Sequence, residues 1–206
     1  CKVSPMQKIG FKLFAKAAAQ NVLGISSQTL FITFVGRLTQ IKRPDRLLDV
    51  AKECKQRGLD VRFLVAGEGE LFESSKERSL KEQLNLTFFG WRSDIDQIFA
   101  ASDIAILCSD NEGIPLTLIQ SSQAGLPIIS TNVGSVHDIV VGGKTGFLTD
   151  NNTHSLIQAV DQLISNPSKM AQFGLAGKAR AESYFSLKGM IQAHEELYSQ
   201  LINRIN

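Results

Sequence analysis

Residues Ile104–Gly125 read IAILCSDNEGIPLTLIQSSQAG, so that an apolar run stops at a polar loop holding Glu112 and a helical pattern follows. Pro115 stands where we expect the helix to begin, since its fixed φ suits a first helical residue and its missing N–H is not needed there. The unpaired backbone N–H groups and partial positive charge of such a helix start favour an anion, usually a phosphate. The residues expected beside that anion are Gly113, Ile114, Leu116 and Thr117.

A second strand end carries two cations. The apolar run Leu30–Val35 leads into a short loop with Arg37 and Lys42, and Pro44 then opens the next helical pattern. Arginine can hold phosphate oxygens in a fork, and lysine acts as a point charge. The pair therefore suits a diphosphate. The alternative is two solvated surface cations, which is the more common situation for any single arginine or lysine.

Strand and helix patterns alternate along most of the chain. Near-continuous apolar runs of this kind are typical of strands buried on both faces, and the alternation predicts a parallel sheet with right-handed crossovers. The fold class is therefore α/β, a Rossmann-like doubly wound sheet with helices on both faces. The predicted strands are Leu30–Val35, Val61–Ala66, Leu86–Phe89, Ile104–Leu107, Pro127–Ser130 and Phe147–Leu148. The predicted helices are a segment from Pro44 to before Gly58, then Asp94–Ala101, Pro115–Ala124, a segment over 156–164, one capped by Ser168, and Leu187–Ile202.

Ligands of such sheets bind beyond the carboxyl ends of the strands. Gly67 and Gly90 each follow a predicted strand, and we expect both in the same crevice as Arg37. Trp91 lines a nucleobase pocket in one interpretation and is a packed core aromatic in the other. Gln120 follows Glu112 by eight residues on the next helix and offers a further polar contact.

Composition excludes several classes of protein. The chain has 206 residues, of which 43% are hydrophobic and 20% charged, as in an ordinary globular domain. A net charge of +2 does not indicate a nucleic-acid partner. The scattered Cys1, Cys54 and Cys108 form neither a zinc motif nor a disulfide framework, and we expect Cys54 and Cys108 to be reduced core residues of a cytoplasmic protein. The first residue is not methionine, and we expect a piece of a longer chain.

Several blocks, in a fixed order, resemble the carboxyl-terminal half of GT-B fold glycosyltransferases, and more narrowly the retaining group 1 family, also called family 4. The blocks are GRLTQIK (Gly36–Lys42), VAGEGE (Val65–Glu70), FFGWRSDI (Phe88–Ile95), ASDIAILCSDNEGIPLTLIQ (Ala101–Gln120), AGLPIISTNVGSVHDIV (Ala124–Val140) and GKTGFL (Gly143–Leu148). Any one block is weak evidence, whereas the order and spacing of all of them are specific.

The resemblance implies roles for individual residues. Arg37 and Lys42 match the family's diphosphate-binding pair, and Glu112 matches the glutamate near the donor sugar, which makes it the expected catalytic residue. The family has a second glutamate that binds the ribose hydroxyls, and this chain has Gln120 there. A neutral amide still makes hydrogen bonds but loses the charge-assisted strength of a carboxylate.

The implied function is the donor half of a hexosyltransferase of glycan or polysaccharide synthesis, inactive by itself. The donor would be a nucleotide-diphosphate sugar, with Arg37 and Lys42 in place of a metal and no other cofactor. A saccharide or lipid-linked acceptor would bind the amino-terminal half. Two alternatives remain: a sugar-nucleotide epimerase on the same scaffold, and a degenerate, non-catalytic binding module, which Gln120 favours.

The resemblance also divides the chain. Residues 1–28 would form a linker or helical segment between the two halves, and residues 29–185 would form the Rossmann-like domain that binds the nucleotide sugar. Residues 186–206 would form a helix that packs back on the amino-terminal half. Lys8, Lys12 and Lys16 recur at i,i+4 spacing, which suits either a solvated helix face or an anionic membrane surface. The expected location is the cytoplasm, with peripheral contact to the inner face of the membrane as the second possibility.

Overall fold

The computed structural model describes residues 16–25 and 29–205. Its centre is a six-stranded sheet in the order β3-β2-β1-β4-β5-β6, and neighbouring strands pair in parallel. The strands are β1 (Leu30–Val35), β2 (Val61–Ala66), β3 (Leu86–Gly90), β4 (Ile104–Leu107), β5 (Ile128–Thr131) and β6 (Gly146–Thr149). This order reverses direction between β1 and β4, which is the doubly wound arrangement predicted from the sequence.

Helices connect the strands and extend the chain beyond β6. The α-helices are α1 (Lys16–Val22), α2 (Pro44–Gln56), α3 (Phe72–Lys81), α4 (Ile95–Ala101), α5 (Leu116–Gln123), α6 (Val136–Ile139), α7 (Thr153–Ile164), α8 (Pro167–Tyr184) and α9 (Leu187–Ile205), and a short 3-10 helix spans Gln40–Lys42. Pro44 is the first residue of α2, and Gly58 follows its end with a φ of 68°, as the sequence predicts.

The sheet is buried on both faces. Side chains alternate along each strand, so that Ile104 and Ile106 of β4 pack with α2 and α7, whereas Ala105 and Leu107 pack on the opposite side with α5 and α6. Ala19 of α1 is fully buried in a third cluster, with α4, β1 and β2. Apolar side chains on both faces explain the near-continuous apolar strands, and the predicted two-sided sheet is confirmed.

Three local expectations were wrong. Helix α5 begins at Leu116, so that Pro115, with a ψ of 100°, is the extended residue before the helix. Asn166, not Ser168, caps α8, because its side chain accepts a hydrogen bond from the Lys169 N–H at 2.9 Å. Helix α3 was not predicted at all.

Both described cysteines lie in the core. Cys54 and Cys108 are buried free thiols, and burial raises the pKa of each to about 12. Their thiols are therefore protonated at neutral pH and behave as small apolar side chains. Lys8 and Lys12 of the basic segment lie outside the described residues, and Lys16 forms an ion pair with Asp103.

Candidate functional site

A cleft of about 480 Å³ lies at the carboxyl ends of β1, β2 and β3. Its lining includes Arg37, Gly67, Trp91 and Arg92. Trp91 is 71% exposed, so the packed-core interpretation of this residue is wrong. The structure thus brings Arg37, Gly67 and Trp91 together, as the parallel sheet predicts.

Close backbone contacts shape this cleft. A Cβ atom on Gly67, whose φ is 136°, would lie 2.0 Å from the carbonyl oxygen of Gly36, so only glycine fits. The Gly67 N–H also donates a 2.7 Å hydrogen bond to the Gly90 carbonyl, and the Trp91 N–H donates to Glu68 at 3.3 Å. The glycines at these strand ends therefore let three loops pack against one another and set the position of Trp91.

Two residues that the sequence assigned to different parts of a donor meet in the structure. The Lys42 Nζ lies 2.5 Å from Glu112 Oε1, and the Ser109 hydroxyl donates to the same oxygen at 2.7 Å. The Lys42 side chain is 22% exposed and the Glu112 side chain is 6% exposed. We call residues 36–43 the Lys42 loop and residues 108–115 the Glu112 loop. An ion pair thus joins the two loops, and its two residues are not among those that line the cleft of Arg37 and Trp91.

The start of α6 presses against the Glu112 loop. A Cβ on Gly134, whose φ is 52°, would lie 1.7 Å from the Glu112 carbonyl oxygen. From the other side, Thr131 Oγ1 donates to the Ser109 carbonyl at 2.7 Å. The backbone on both sides of Glu112 is therefore fixed by β5 and the turn that follows it.

The turn into α5 offers free hydrogen-bond donors. Within the described part of the chain, the backbone N–H groups of this turn donate no hydrogen bond. The residues concerned are Gly113, Ile114, Leu116 and Thr117. The side chains of Ile114 and Leu116 are exposed and that of Gln120 is half-buried, with no hydrogen bond to any described residue. The N–H groups stand immediately after Glu112, and such a group of donors is suited to an anion.

A network of charged groups holds the other side of the Glu112 loop. Arg46 of α2 donates to the Cys108 carbonyl at 2.5 Å, to Asn151 Oδ1 at 2.6 Å and to Asp110 Oδ1 at 2.9 Å. Arg43 also pairs with Asp110, at 3.0 Å. Partial burial by itself would raise the pKa of Asp110, but the hydrogen bonds from Arg46, Arg43 and Asn151 outweigh it and lower this pKa to about 2.

Sequence reasoning missed this network. Arg43 and Arg46 belong to an amphipathic helix start, where an arginine is usually a solvated surface residue. The structure itself marks this segment: Arg43 adopts a φ of 53°, in the left-handed region that non-glycine residues seldom occupy outside special sites. That geometry cannot be deduced from the letters KRPDR.

The described residues contain no group of three or more His, Cys, Asp or Glu side chains that could hold a metal ion. An Asp-x-Asp triplet occurs at Asp94–Asp96. Asp94, however, is held by the Arg92 guanidinium at 2.6 Å, and this hydrogen bond lowers the pKa of the Asp94 carboxyl. The first carboxylate of the triplet is thus already paired with a cation of the chain itself. No helix among the described residues is long and apolar enough to cross a bilayer.

Comparison with known proteins places this site in a family. The model of the family described as "Glycosyl transferases group 1" matches residues 15–180. The chain belongs to this family. The resemblance stated from the sequence blocks is therefore confirmed, and the loops that carry Arg37, Lys42, Glu112 and Gln120 all lie inside the matched range.

Two relatives show the range of the family. The chain is 32% identical over 159 residues to a UDP-Gal:alpha-D-GlcNAc-diphosphoundecaprenol alpha-1,3-galactosyltransferase of Escherichia coli, an alignment that covers 71% of this chain and 41% of that protein. It is 29% identical over 181 residues to a D-inositol 3-phosphate glycosyltransferase of Rhodococcus jostii, covering 82% of this chain and 40% of that one. The chain thus spans about two fifths of the length of these curated relatives.

Solved structures share the fold at lower identity. HepE of Anabaena, determined with UDP and glucose, superposes with a TM-score of 0.83 at 21% identity, covering 92% of this chain and 54% of that one. The carboxyl-terminal domain of a group 1 family protein, LpcC of Francisella tularensis, superposes with a TM-score of 0.75 at 17% identity, covering 86% and 98%. The fold is therefore that of one half of a GT-B glycosyltransferase.

Proposed function

We propose that this chain is the donor-binding domain of a retaining glycosyltransferase that takes its sugar from a nucleotide-diphosphate sugar. One observation carries the proposal. Among the described residues, the backbone N–H groups of Gly113, Ile114, Leu116 and Thr117 donate no hydrogen bond, and they directly follow Glu112, which pairs with Lys42. Donors, a cation and a carboxylate in one place suit a diphosphate joined to a sugar.

The diphosphate would lie between the Lys42 loop and the start of α5. Arg37 is exposed at the cleft edge and its side chain makes no hydrogen bond or ion pair with any described residue, so its guanidinium is available to phosphate oxygens. Negative charge accumulates on the leaving diphosphate as the glycosidic bond breaks. Cations and N–H groups already in position stabilise that charge in the transition state. Arg37 and Lys42 would thereby replace a metal ion.

Glu112 would face the donor sugar. The carboxylate is held by Ser109 and Lys42, so its orientation is set before the donor binds. When the diphosphate pairs with Lys42 instead, the Glu112 carboxylate is free to accept a hydrogen bond from a sugar hydroxyl. It can also stabilise the positive charge that develops at the anomeric carbon. Its role is therefore tied to the sugar rather than to the nucleotide.

The nucleoside would occupy the cleft lined by Gly67 and Trp91, with Gly90 supporting the turn. The exposed indole offers a face on which a nucleobase can stack. Gln120 would contact the ribose through its amide. Because the Escherichia coli relative is named for UDP-Gal and HepE was determined with UDP, a uridine nucleotide is the first candidate.

The acceptor would bind a further part of the whole protein. A lipid-linked saccharide is the first candidate, since the Escherichia coli relative is named for a diphosphoundecaprenol-linked acceptor. An acceptor of that kind would bring the protein to the inner face of the cytoplasmic membrane. The amino-terminal half would also cover the exposed apolar side chains of α9, among them Leu197 and Tyr198.

A calorimetric titration tests the proposal. The chain is titrated with UDP, UDP-galactose and the corresponding GDP and ADP compounds, with UMP as the control that lacks the second phosphate. We expect UDP and UDP-galactose to bind, and UMP to bind more weakly than UDP. At 100 times its dissociation constant the ligand should stabilise the domain by about 2.7 kcal/mol. Equal affinity for UMP and UDP would contradict a diphosphate site.

Transfer is measured in the full-length protein. Sugar transfer to a lipid-linked or soluble acceptor is compared with donor hydrolysis and with epimerisation of the donor. Transfer supports the proposal, whereas epimerisation without transfer would assign the scaffold to the other enzyme class. Binding without either reaction would leave only a binding module.

A further inference from the structure

Arg46 is a buried charge that the proposed donor site does not use. Its side chain is 6% exposed, although it lies in the first turn of α2. Its donors contact the Cys108 carbonyl, Asn151 and Asp110. Burying a guanidinium costs several kcal/mol unless its donors are satisfied. Such a group therefore fixes the segments that it contacts.

Asp110 is the centre of these contacts. Its carboxylate accepts from Arg46, from Arg43 at 3.0 Å and from the Asn151 amide at 2.9 Å. Its backbone N–H donates to the Ile41 carbonyl at 2.8 Å. Ile41 directly precedes Lys42, and Asp110 lies two residues before Glu112. One residue thus joins α2, the Lys42 loop and the Glu112 loop.

We infer that Arg46 and Asp110 are positioning residues that hold the Glu112 loop against the Lys42 loop, so that the donors of both loops converge on one anion. The inference depends on the proposed function for the identity of that anion. Neither side chain touches the ligand. Both act through the Asp110–Ile41 hydrogen bond, which sets the spacing of the two loops.

Preorganisation of the two loops is the physical basis of this role. The Glu112 loop contributes N–H groups and the Lys42 loop contributes an ammonium, and a diphosphate gains from both only when their spacing is correct. Loops at strand ends are the mobile parts of such a fold. A planar guanidinium with several acceptors constrains position more than a flexible lysine does. The fork of Arg46 therefore matters as well as its charge.

The test uses three variants and a matched control. Arg46→Lys keeps the charge but loses the fork, Asp110→Asn keeps the shape but loses the charge, and the third variant combines them. The control is Arg57→Lys at the other end of α2, where Arg57 pairs with Glu53 and Asp161. Arg57 lies roughly 16 Å along the helix from Arg46, given a rise of 1.5 Å per residue.

The first measurement needs no ligand. Amide hydrogen exchange at Asp110 reports the hydrogen bond to Ile41. We expect faster exchange of the Asp110 amide in the Arg46 and Asp110 variants and unchanged exchange in Arg57→Lys, while an amide in the centre of β1 keeps its protection in all of them. Unchanged protection of the Asp110 amide in Arg46→Lys and Asp110→Asn would overturn the inference.

The second measurement is affinity for UDP by calorimetry. We expect each single variant to bind roughly tenfold more weakly, as if one charge-assisted hydrogen bond were lost. The double variant should bind UDP with the same affinity as the single variant that binds it less tightly, because both changes break the same link. A lower melting temperature with unchanged affinity would mean that the network only stabilises the fold, which overturns the inference.

The two proposals fail in different ways. If the wild-type chain binds none of the nucleotides, the proposed function fails, and the exchange of the Asp110 amide still decides whether Arg46 and Asp110 position the loop. If the wild-type chain binds UDP and the variants bind it equally well, the donor site stands and the positioning role is wrong.

Discussion

Lys42 has a carboxylate partner before any diphosphate arrives. The ion pair with Glu112 is short and mostly shielded from water, so each group satisfies the other in the ligand-free protein. A diphosphate must therefore compete with Glu112 for the ammonium. The net gain from Lys42 is the difference between two charge-assisted bonds rather than the full value of one.

Removal of either cation tests the diphosphate site. Arg37→Ala should weaken UDP binding by roughly 1.5–3 kcal/mol, the range for a hydrogen bond to a charged group, and Lys42→Ala should weaken it by less, since the Lys42 ammonium must leave Glu112 to bind the ligand. Arg37 should be the more costly to lose, because it has no described partner that the ligand must displace. Calorimetry on both variants, with Arg57→Ala as a control away from the site, gives the comparison. Affinities equal to that of the control would place the diphosphate elsewhere.

Glu112→Gln should separate the sugar from the nucleotide. The amide releases Lys42 and removes a negative charge near the phosphates, so affinity for free UDP is expected to be retained or increased. Transfer in the full-length protein should be lost, because the group facing the sugar is gone. Titration with UDP and a transfer assay measure the two effects. A variant that binds UDP more weakly and still transfers sugar would show that Glu112 serves the nucleotide.

Gly134→Ala has a matched control in Gly125→Ala. Both glycines have positive φ values, 52° and 80°, so both substitutions carry the strain of the left-handed region. Only at Gly134 would the new Cβ meet backbone, the carbonyl of Glu112. Urea unfolding should therefore show a larger loss of stability for Gly134→Ala, and only this variant should also lose affinity for UDP. Equal losses of stability would mean that the turn shifts freely.

Helix α2 is tied to the Glu112 loop by the ion pair of Arg46 with Asp110, which requires that the Asp110 carboxyl stay ionised. The folded pKa of Asp110 is about 2, below the ordinary value of about 3.9 for an unfolded aspartate. Its contribution to stability is therefore present in full above about pH 5 and is lost as the pH falls towards 2. Urea unfolding of the wild type and Asp110→Asn should show a difference at pH 6 that shrinks by pH 3. A difference independent of pH would assign the effect to shape instead of charge.

The elements that the sequence predicted well are those with a clear apolar pattern. Strands β1, β2 and β4 carry continuous apolar runs, and their bounds agree with the prediction. Helix α3, with the sequence FESSKERSLK, was not predicted because its buried residues are the serines Ser75 and Ser79. Small polar side chains pack there where an apolar residue would have signalled a helix face.

The candidate site was predictable only in its parts. Each strand end could be assigned to one edge of the sheet from the alternation of elements. The contact between Lys42 and Glu112 joins residues 70 positions apart, and no periodicity reports such a pairing. The buried Arg46 was equally hidden, since burial of a charge depends on which loops cover it.

Helix α9 exposes a row of apolar side chains. Its side chains Met190, Leu197 and Tyr198 are exposed, although the helix is amphipathic. The division of the chain at residues 28 and 185 stays a prediction, and the packing of α9 on an amino-terminal half is its most accessible consequence.

Introducing charged residues on α9 tests whether this helix packs on an amino-terminal half. Leu197→Glu combined with Leu201→Glu should leave the unfolding midpoint of this chain nearly unchanged, because both side chains are exposed here. In the full-length protein the same pair should lower stability, since it would bury two carboxylates without partners. Differential scanning calorimetry of both proteins makes the comparison. Unchanged stability in the full-length protein would show that this face stays in water.

The strand order has a consequence for how the chain reaches its fold. The sub-sheets β1–β2–β3 and β4–β5–β6 each form between strands that are consecutive along the chain. The central pairing of Ile32 with Ile104 joins the two sub-sheets across a long stretch of chain. Closing such a long loop is slow, because chain entropy is lost before the contacts form. The pairing of β1 with β4, which brings the Lys42 loop to the Glu112 loop, is therefore expected to be the late kinetic step of folding.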